Sequence, residues 1–389
     1  MKHTKTLLIA AAAATLAVGA HAQTRGVTDD EIRIGGVHDL SGVFAAVSTP
    51  AVNGANLYFD MVNEEGGIHG RMINYLVEDH GYQLPRATQG FNKLIERDQV
   101  FAMLMNLGTP HNLTHYPLME RRGVPNMFPL TASRQILPDP PGMNFTSFSS
   151  YYDQVAAGVE YLQAETGASN VCAMYLPTDF GEEIATSARE TAEALGMNFA
   201  GETTHRPDDQ DFVGALSGLR AAECEIITMA LGVRAGITVV GTAKRMGWDA
   251  TFLSTSAGFL DVVAAVPGGV TDGLYAAAGW QDLVSRAGDE APAAFMAAYE
   301  ERFGHPASGF AMLGYTAARQ LAMGLEAAGA DLTTETLLQG MYTIEFDDEL
   351  LGTHINFSAD DHQGANDIFI GRVSDGLWHT MARIDGDTM

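Results

Sequence analysis

The stretch Val100-Phe101-Ala102-Met103-Leu104-Met105-Asn106-Leu107-Gly108-Thr109-Pro110 is an almost wholly apolar run that ends in a loop of small and polar residues. A continuous apolar run is typical of a strand that helices cover on both faces. The loop precedes a predicted helix. Small residues and hydroxyls in such a loop let a ligand reach the free N–H groups at the helix start, and this suits a carboxylate or another anion. The alternative is a plain turn, because loops of this composition are commonplace.

Strands of the same kind recur along the chain and alternate with helical patterns. The predicted strands cover residues 32–37, 72–77 and 100–105, and then 171–176, 197–203, 224–230 and 251–254. Strands that alternate with helices indicate parallel, doubly wound sheets with right-handed crossovers. The alternation stops and restarts, and 389 residues are too many for one ordinary core. The sequence therefore predicts an α/β protein with two such lobes, completed after Gly273 by a strand, two helices and further strand-like pieces.

The amino terminus has the pattern of a secretory signal peptide. Lys2 and Lys5 precede an apolar stretch, and Ala20-His21-Ala22 supplies the small residues that signal peptidase needs. We expect residues 1–22 to be removed by cleavage after Ala22. No cysteine lies near that point to carry a lipid. The sequence thus predicts an exported, soluble, periplasmic protein.

Composition narrows the possible partners. The formal net charge is −26, and no run of lysine or arginine offers a local exception, so we expect no nucleic-acid binding. Cys172 and Cys224 each lie near the start of a predicted strand, in a compartment where thiols oxidise. If the two strands are neighbours a disulfide is possible, and two separately buried free cysteines are the equal alternative.

Motifs for catalysis and cofactors are missing. No glycine-rich nucleotide loop follows any predicted strand, and residues 254–258 lack the leading glycine of a nucleophile elbow. His111 and His115 have helical spacing without the glutamate that a zinc hydrolase needs, so we interpret them as surface histidines near a pocket mouth. We expect no cofactor, no metal and no catalytic residue.

Several short motifs occur together and in a particular order: 40–42 (Leu-Ser-Gly), 63–70 (Asn-Glu-Glu-Gly-Gly-Ile-His-Gly), 123–125 (Gly-Val-Pro), 129–133 (Pro-Leu-Thr-Ala-Ser), 178–181 (Thr-Asp-Phe-Gly), 303–306 (Phe-Gly-His-Pro) and 314–318 (Gly-Tyr-Thr-Ala-Ala). In this order, after a signal peptide, the chain resembles the type I periplasmic solute-binding proteins. Within these it resembles the leucine/isoleucine/valine-binding group that serves ABC importers. The resemblance covers nearly all of the mature chain.

The resemblance implies two lobes joined by three hinge crossings, with a ligand cleft between the lobes. One lobe would comprise residues 27–147 and 280–347, and the other residues 148–279 and 348–389. It also implies a set of ligand-binding residues: Ser41, Thr109, Leu130, Thr131, Ala132, Tyr151, Tyr152, Phe180, Arg234, Ser256, Trp280 and Phe310. Thr109 matches the family's serine that binds the ligand carboxylate, and Phe310 matches an aromatic wall.

One position departs from the family pattern. Ser256 stands where the family usually has an acid that binds the ligand's ammonium group. Arg234 lies nearby in the sequence and could bind a carboxylate in bidentate fashion, or it could equally be a solvated helix residue. The departure favours a carboxylate, aromatic or amide-like solute over the ordinary branched-chain amino acids.

We therefore expect an extracytoplasmic receptor that captures a small polar ligand by cleft closure and delivers it to an ABC permease in the inner membrane. The ligand would be amino acid-like, a carboxylate, an aromatic acid or an amide. A monomer without membrane insertion is expected. The alternatives are a ligand-sensing domain of the same fold and, less favoured, a secreted hydrolase.

Overall fold

The structure is a computed structural model that describes residues 24–386, so the predicted signal peptide lies outside the described residues. A first sheet contains five parallel strands in the order β2-β1-β3-β4-β5. Its strands are β1 (Glu31–His38), β2 (Met72–Asp79), β3 (Ala102–Leu104), β4 (Asn126–Met127) and β5 (Asn144–Phe145), and the helices between them are α1 (Ala45–Glu64), α2 (Leu84–Asn92) and α3 (Thr109–Arg122). All three residues of β3 are buried, as the apolar run predicts.

The second sheet has seven strands in the order β14-β13-β10-β9-β8-β6-β7. It is formed by β6 (Asn170–Tyr175), β7 (Asn198–Thr204), β8 (Ile226–Ala230), β9 (Thr251–Thr255), β10 (Tyr275–Ala278), β13 (Ile368–Ser374) and β14 (Leu377–Ile384). Strands β6 to β10 pair in parallel, whereas β13 and β14 are antiparallel additions at one edge. The helices of this part are α4 (Tyr151–Thr166), α5 (Asp179–Ala194), α6 (Val213–Ala221), α7 (Val233–Arg245) and the short α8 (Asp261–Ala264).

The segment between β10 and β13 holds helices α9 (Glu290–Phe303), α10 (Gly309–Ala328) and α11 (Thr334–Met341) and a hairpin of β11 (Glu345–Asp348) and β12 (Thr353–Asn356). The sequence predicted two helices here, whereas residues 24–386 show three. Helices α9 and α10 pack on α1. The chain therefore passes from the first sheet to the second after β5, returns after β10, and passes back before β13.

Helices α1 and α10 cross with their backbones in close approach. A Cβ atom on Gly54 would lie 1.9 Å from the carbonyl oxygen of Ala311, and one on Gly314 would lie 1.9 Å from the carbonyl oxygen of Ala51. Only glycine fits at such a crossing. This packing ties residues 309–328 to the first sheet, although they follow the second sheet in sequence. No helix among residues 24–386 combines the length and apolar character needed to cross a membrane.

Candidate functional site

A cavity of about 40 Å³ lies where loops of both sheets meet. The first sheet contributes the loop from β3 to α3 and residues 130–132, and the second contributes the starts of α4 and α5 and the residues after β9. Trp280 and Phe310, which lie after β10 and at the start of α10, complete the wall. A cavity needs roughly 10–15 Å³ to hold one water molecule, so this one suits a small ligand and not a polymer. Ligands of open α/β sheets bind at this place, outside the carboxyl ends of the strands.

Nine residues that the sequence predicts for the site line the cavity: Thr109, Leu130, Thr131, Ala132, Tyr151, Phe180, Ser256, Trp280 and Phe310. They come from regions far apart in the chain. The structure thus brings together most of the predicted set.

Three predicted residues do not line the cavity. Ser41 is exposed, and its hydroxyl donates to the Asp79 carboxylate at 2.7 Å. Tyr152 follows Tyr151 on α4, so it lies about 100° further around the helix and donates instead to Glu190 at 2.6 Å. Arg234 is exposed on α7.

Seven further residues line the cavity without having been predicted: Phe44, Val47, Tyr82, Leu107, Gly108, Phe148 and Ala257. Several are aromatic residues in the loops that follow strands of the first sheet, Phe44 after β1, Tyr82 after β2 and Phe148 after β5. For Phe44 and Tyr82, an aromatic residue a few positions beyond a predicted strand was the available signal. With them, seven of the sixteen residues that line the cavity are aromatic.

Hydroxyl groups provide the polar part of the lining. The Thr109 and Thr131 hydroxyl oxygens are 2.6 Å apart, and the Ser133 N–H donates to Thr131 Oγ1. Burial raises the pKa of the Tyr151 phenol to about 12, although contacts with Ala132 and Thr131 oppose the shift. Burial likewise raises the pKa of Tyr82. Both phenols are therefore neutral at physiological pH, and the described lining includes no Asp, Glu, Lys, Arg or His side chain.

A buried carboxylate joins the two sides of the cavity next to this lining. Glu183, on α5 of the second sheet, accepts a hydrogen bond from the Ser133 hydroxyl and another from the Arg134 N–H at 3.0 Å. Ser133 and Arg134 follow the cavity residues 130–132 of the first sheet. Burial raises the pKa of Glu183, whereas the two hydrogen bonds oppose that shift. Glu183 thus links the two sides.

A pair of buried carboxyl groups makes a second link. Asp261 Oδ2 accepts from the Gly309 N–H at 3.0 Å, which joins α8 to the start of α10. Asp282 lies against Asp261 and accepts from the Ser285 N–H at 2.7 Å. Burial, and then the charge of Asp282, raise the pKa of Asp261 to about 7. Asp261 therefore holds a proton over much of the acidic range.

This shift predicts a pH dependence of stability. Between the ordinary pKa of 3.8 and about 7, the folded protein retains a proton on Asp261 that the unfolded chain releases. The free energy of unfolding should therefore fall as pH rises, by about 2 kcal/mol between pH 5 and pH 7 from this group. Asp261→Asn mimics the protonated acid and should flatten the slope, as measured by urea unfolding across that range. The exposed Asp360→Asn serves as control, and equal slopes in all three proteins would refute the assignment.

The two histidines with helical spacing lie elsewhere than predicted. His111 and His115 are 2% and 4% exposed, so their interpretation as surface residues was wrong. His115 Nδ1 lies 2.7 Å from the carbonyl oxygen of His111, and its ring stacks on Phe91. Burial lowers the pKa of both rings. Among the described residues they belong to no cluster of three or more metal-binding side chains.

Cys172 and Cys224 form a disulfide in the structure, with their Cα atoms 5.8 Å apart. Cys172 lies in β6 and Cys224 lies just before β8, and these two strands are neighbours in parallel register. Of the two alternatives that the sequence left open, the structure has the bridge. It ties neighbouring parts of the second sheet and lies outside the cavity lining.

Two doubly wound sheets with a small cavity between them define a two-lobed binding protein of the type I periplasmic class. The sequence profile of the periplasmic binding protein family matches residues 31–377, and the chain belongs to that family. This is a family of binding proteins and not of enzymes, and the expected resemblance is confirmed.

Similar proteins fall within the same class. The leucine-, isoleucine-, valine-, threonine- and alanine-binding protein of Pseudomonas aeruginosa is 21% identical over 77% of this chain and 79% of its own length. A fatty acid ABC transporter substrate-binding protein from Thermomonospora curvata superposes with a TM-score of 0.85 at 23% identity, covering 93% of this chain and 94% of that one. A solute-binding protein from R. palustris in complex with benzoate has a TM-score of 0.81 at 17% identity, covering 91% and 96%. At these identities the structural likeness shows the fold.

Proposed function

We propose that the protein is the extracytoplasmic solute receptor of an ABC importer, which captures one small polar molecule and delivers it to a membrane permease. The observation that carries the proposal is the cavity enclosed by residues of both sheets. The names of the similar proteins, which refer to amino acids, a fatty acid and benzoate, support a small-molecule ligand. We place the protein in the periplasm, with cleavage after Ala22, as a monomer.

We infer that binding closes the cleft between two lobes. The lobes would comprise residues 27–147 with 280–347, and residues 148–279 with 348–389. The contacts of Glu183 with Ser133 and Arg134, and of Asp261 with Gly309, would form only when the cleft closes. A ligand that touches both lobes stabilises the closed state, and the permease would recognise that state. The ligand would be amino acid-like, a carboxylate, an aromatic acid or an amide.

Native mass spectrometry of the protein purified from the periplasm without denaturation tests the proposal. We expect a bound small molecule at a 1:1 ratio, absent after unfolding and refolding in clean buffer and restored by adding the extracted molecule. A second, matched sample with a bulky residue in the cavity, Ala132→Trp, should carry none. Equal occupancy of both samples, or no small molecule that rebinds, would contradict a receptor function.

Removing the Glu183 carboxylate should loosen the link between the lobes. Glu183→Ala leaves the Arg134 N–H without its acceptor, so closure loses two hydrogen bonds to a buried charge. We expect hydrogen exchange of residues 133–137 to rise roughly 10- to 100-fold in this variant, because a hydrogen bond to a charged group contributes about 1.5–3 kcal/mol. Glu190→Ala is the control, since Glu190 is on the same helix but accepts from Tyr152 of its own lobe. Similar rates of hydrogen exchange in both variants would argue against Glu183 as a link between the lobes.

A further inference from the structure

The cavity presents hydrogen-bond donors that have no protein acceptor. Ser256 and Trp280 are 3% and 1% exposed, and both line the cavity. Neither the Ser256 hydroxyl nor the Trp280 indole nitrogen has a hydrogen-bond partner among residues 24–386, although the Ser256 backbone N–H donates to Gln154 Oε1 at 2.9 Å. Buried polar groups are normally hydrogen-bonded. The indole N–H can only donate, whereas the hydroxyl can donate or accept, so together they favour a ligand that offers an acceptor.

Further donors come from the part of the lining that the first sheet contributes. The Thr109 and Thr131 hydroxyls are hydrogen-bonded to each other, and the Thr131 hydroxyl also bonds the Tyr151 phenol, so these three hydroxyls use two of their three protons on one another and retain one for a ligand. Thr109 is also the first residue of α3, a helix of 14 residues, whose first N–H groups have no intrahelical partner. The positive end of the helix dipole favours an anion there. The described lining has no carboxylate that could pair with a cationic group of a ligand.

These observations together set the ligand's charge. A carboxylate satisfies the hydroxyl donors and the helix start. An ammonium group would be buried without a counter-charge, which is costly. Carboxylates close to the lining are engaged by protein donors: Glu183 by Ser133 and Arg134, Asp261 by Gly309, and Asp39 by the Gly42 and Phe44 N–H groups. The rest of the lining is aromatic or aliphatic and suits an apolar body.

We propose that the ligand of this cavity is a small monocarboxylate with an apolar body and no ammonium group. Thr109 and Thr131 bind its carboxylate, and Ser256 and Trp280 contact it. This inference rests on the proposed receptor function and narrows it. Its carboxylate is recognised by neutral donors, so an uncharged amide of the same shape should bind more weakly, because hydrogen bonds to ionised acceptors are about twice as strong.

Calorimetry with three compounds of one carbon skeleton tests the ligand class: leucine, 4-methylpentanoate, which is leucine without its ammonium group, and 4-methylpentanamide. Benzoate extends the series to a flat acid. We expect 4-methylpentanoate or benzoate to bind at least roughly 100-fold more tightly than leucine, and 4-methylpentanoate more tightly than its amide. Thr109→Val should weaken acid binding roughly 10-fold or more. Thr238→Val, whose hydroxyl donates within α7 to the Arg234 carbonyl, should not.

The possible results distinguish an error in the proposed ligand class from an error in the proposed receptor function. Binding of leucine as tight as that of 4-methylpentanoate, or of the amide as tight as that of the acid, overturns the ligand class and leaves the receptor function standing. Acid binding that is unaffected by Thr109→Val overturns the assigned site. Absence of binding by all four compounds at millimolar concentration overturns the ligand class, while the mass-spectrometric test of the receptor function is decided independently.

Discussion

Replacing Ser256 with aspartate is expected to abolish binding of 4-methylpentanoate, with an affinity loss of at least roughly 100-fold. The new carboxylate would enter a small cavity whose described lining has no cation, and it would face the carboxylate of the ligand. The same variant should gain affinity for leucine, because an ammonium group would now meet a counter-charge. Calorimetry with the two compounds, in wild type and variant, measures the change in preference directly.

Ser256→Ala is the matched control for this change. It removes the hydroxyl without adding charge, so acid binding should fall only roughly 10-fold and leucine should gain nothing. If Ser256→Asp and Ser256→Ala had the same effect, the position would contribute by shape alone. An unchanged preference for the acid in Ser256→Asp would place Ser256 away from the ligand's polar groups.

Removing the disulfide should cause the largest loss of stability. The bridge spans 52 residues, and closing a loop of that length in the unfolded chain corresponds to about 4 kcal/mol. The variant Cys172→Ala/Cys224→Ala is preferred to serine, because both positions are almost fully buried and a hydroxyl would lack a partner there. Urea unfolding should show a lower free energy of unfolding with little change in the folded far-ultraviolet spectrum.

The double variant also removes two sulfur atoms from the core, so wild-type protein in the presence of a reducing agent is the control. The reducing agent breaks the bridge, and both sulfur atoms remain in place. The reduced protein should lose nearly as much stability as the double variant. The unreduced wild-type protein should also show no thiol that reacts after denaturation. Two reactive thiols there, or identical unfolding with and without reductant, would contradict the bridge.

The strands were predictable because their physical signal is local. Buried strands such as β3 and β8 are continuous apolar runs, and both were found within a few residues of their observed bounds. Strand β14 was not predicted, because it is an edge strand with most residues exposed and has no continuous apolar run. The start of α1 is also not visible in the sequence. Thr49 and Pro50 have the pattern of a helix start, but the helix begins at Ala45, where the Asp39 carboxylate accepts the Phe44 N–H at 2.8 Å.

Most residues of the cavity lining were predictable, because the family resemblance indicates which loops form it. The prediction was less accurate where the direction of a side chain decides whether a residue lines the cavity. Adjacent tyrosines 151 and 152 could not be separated without the phase of α4, which turns only the first toward the cavity. Arg234 was considered for its chemistry, but α7 directs it to solvent. The hydrogen bonds of Glu183 could not be predicted from the sequence, because its partners Ser133 and Arg134 are about 50 positions away and belong to the other lobe.

The most direct test of the central claim, a receptor that closes on a small solute, is a distance across the cleft mouth. The lobes touch there, since a Cβ on Gly232 would lie 3.2 Å from Val43 Cβ. Nitroxide labels at Ala46→Cys and Arg234→Cys, both exposed positions, report this separation by electron paramagnetic resonance. We predict a single short distance with 4-methylpentanoate or the co-purified molecule, and a longer, broader distribution after the ligand is removed. A distance that stays the same with and without ligand would contradict closure.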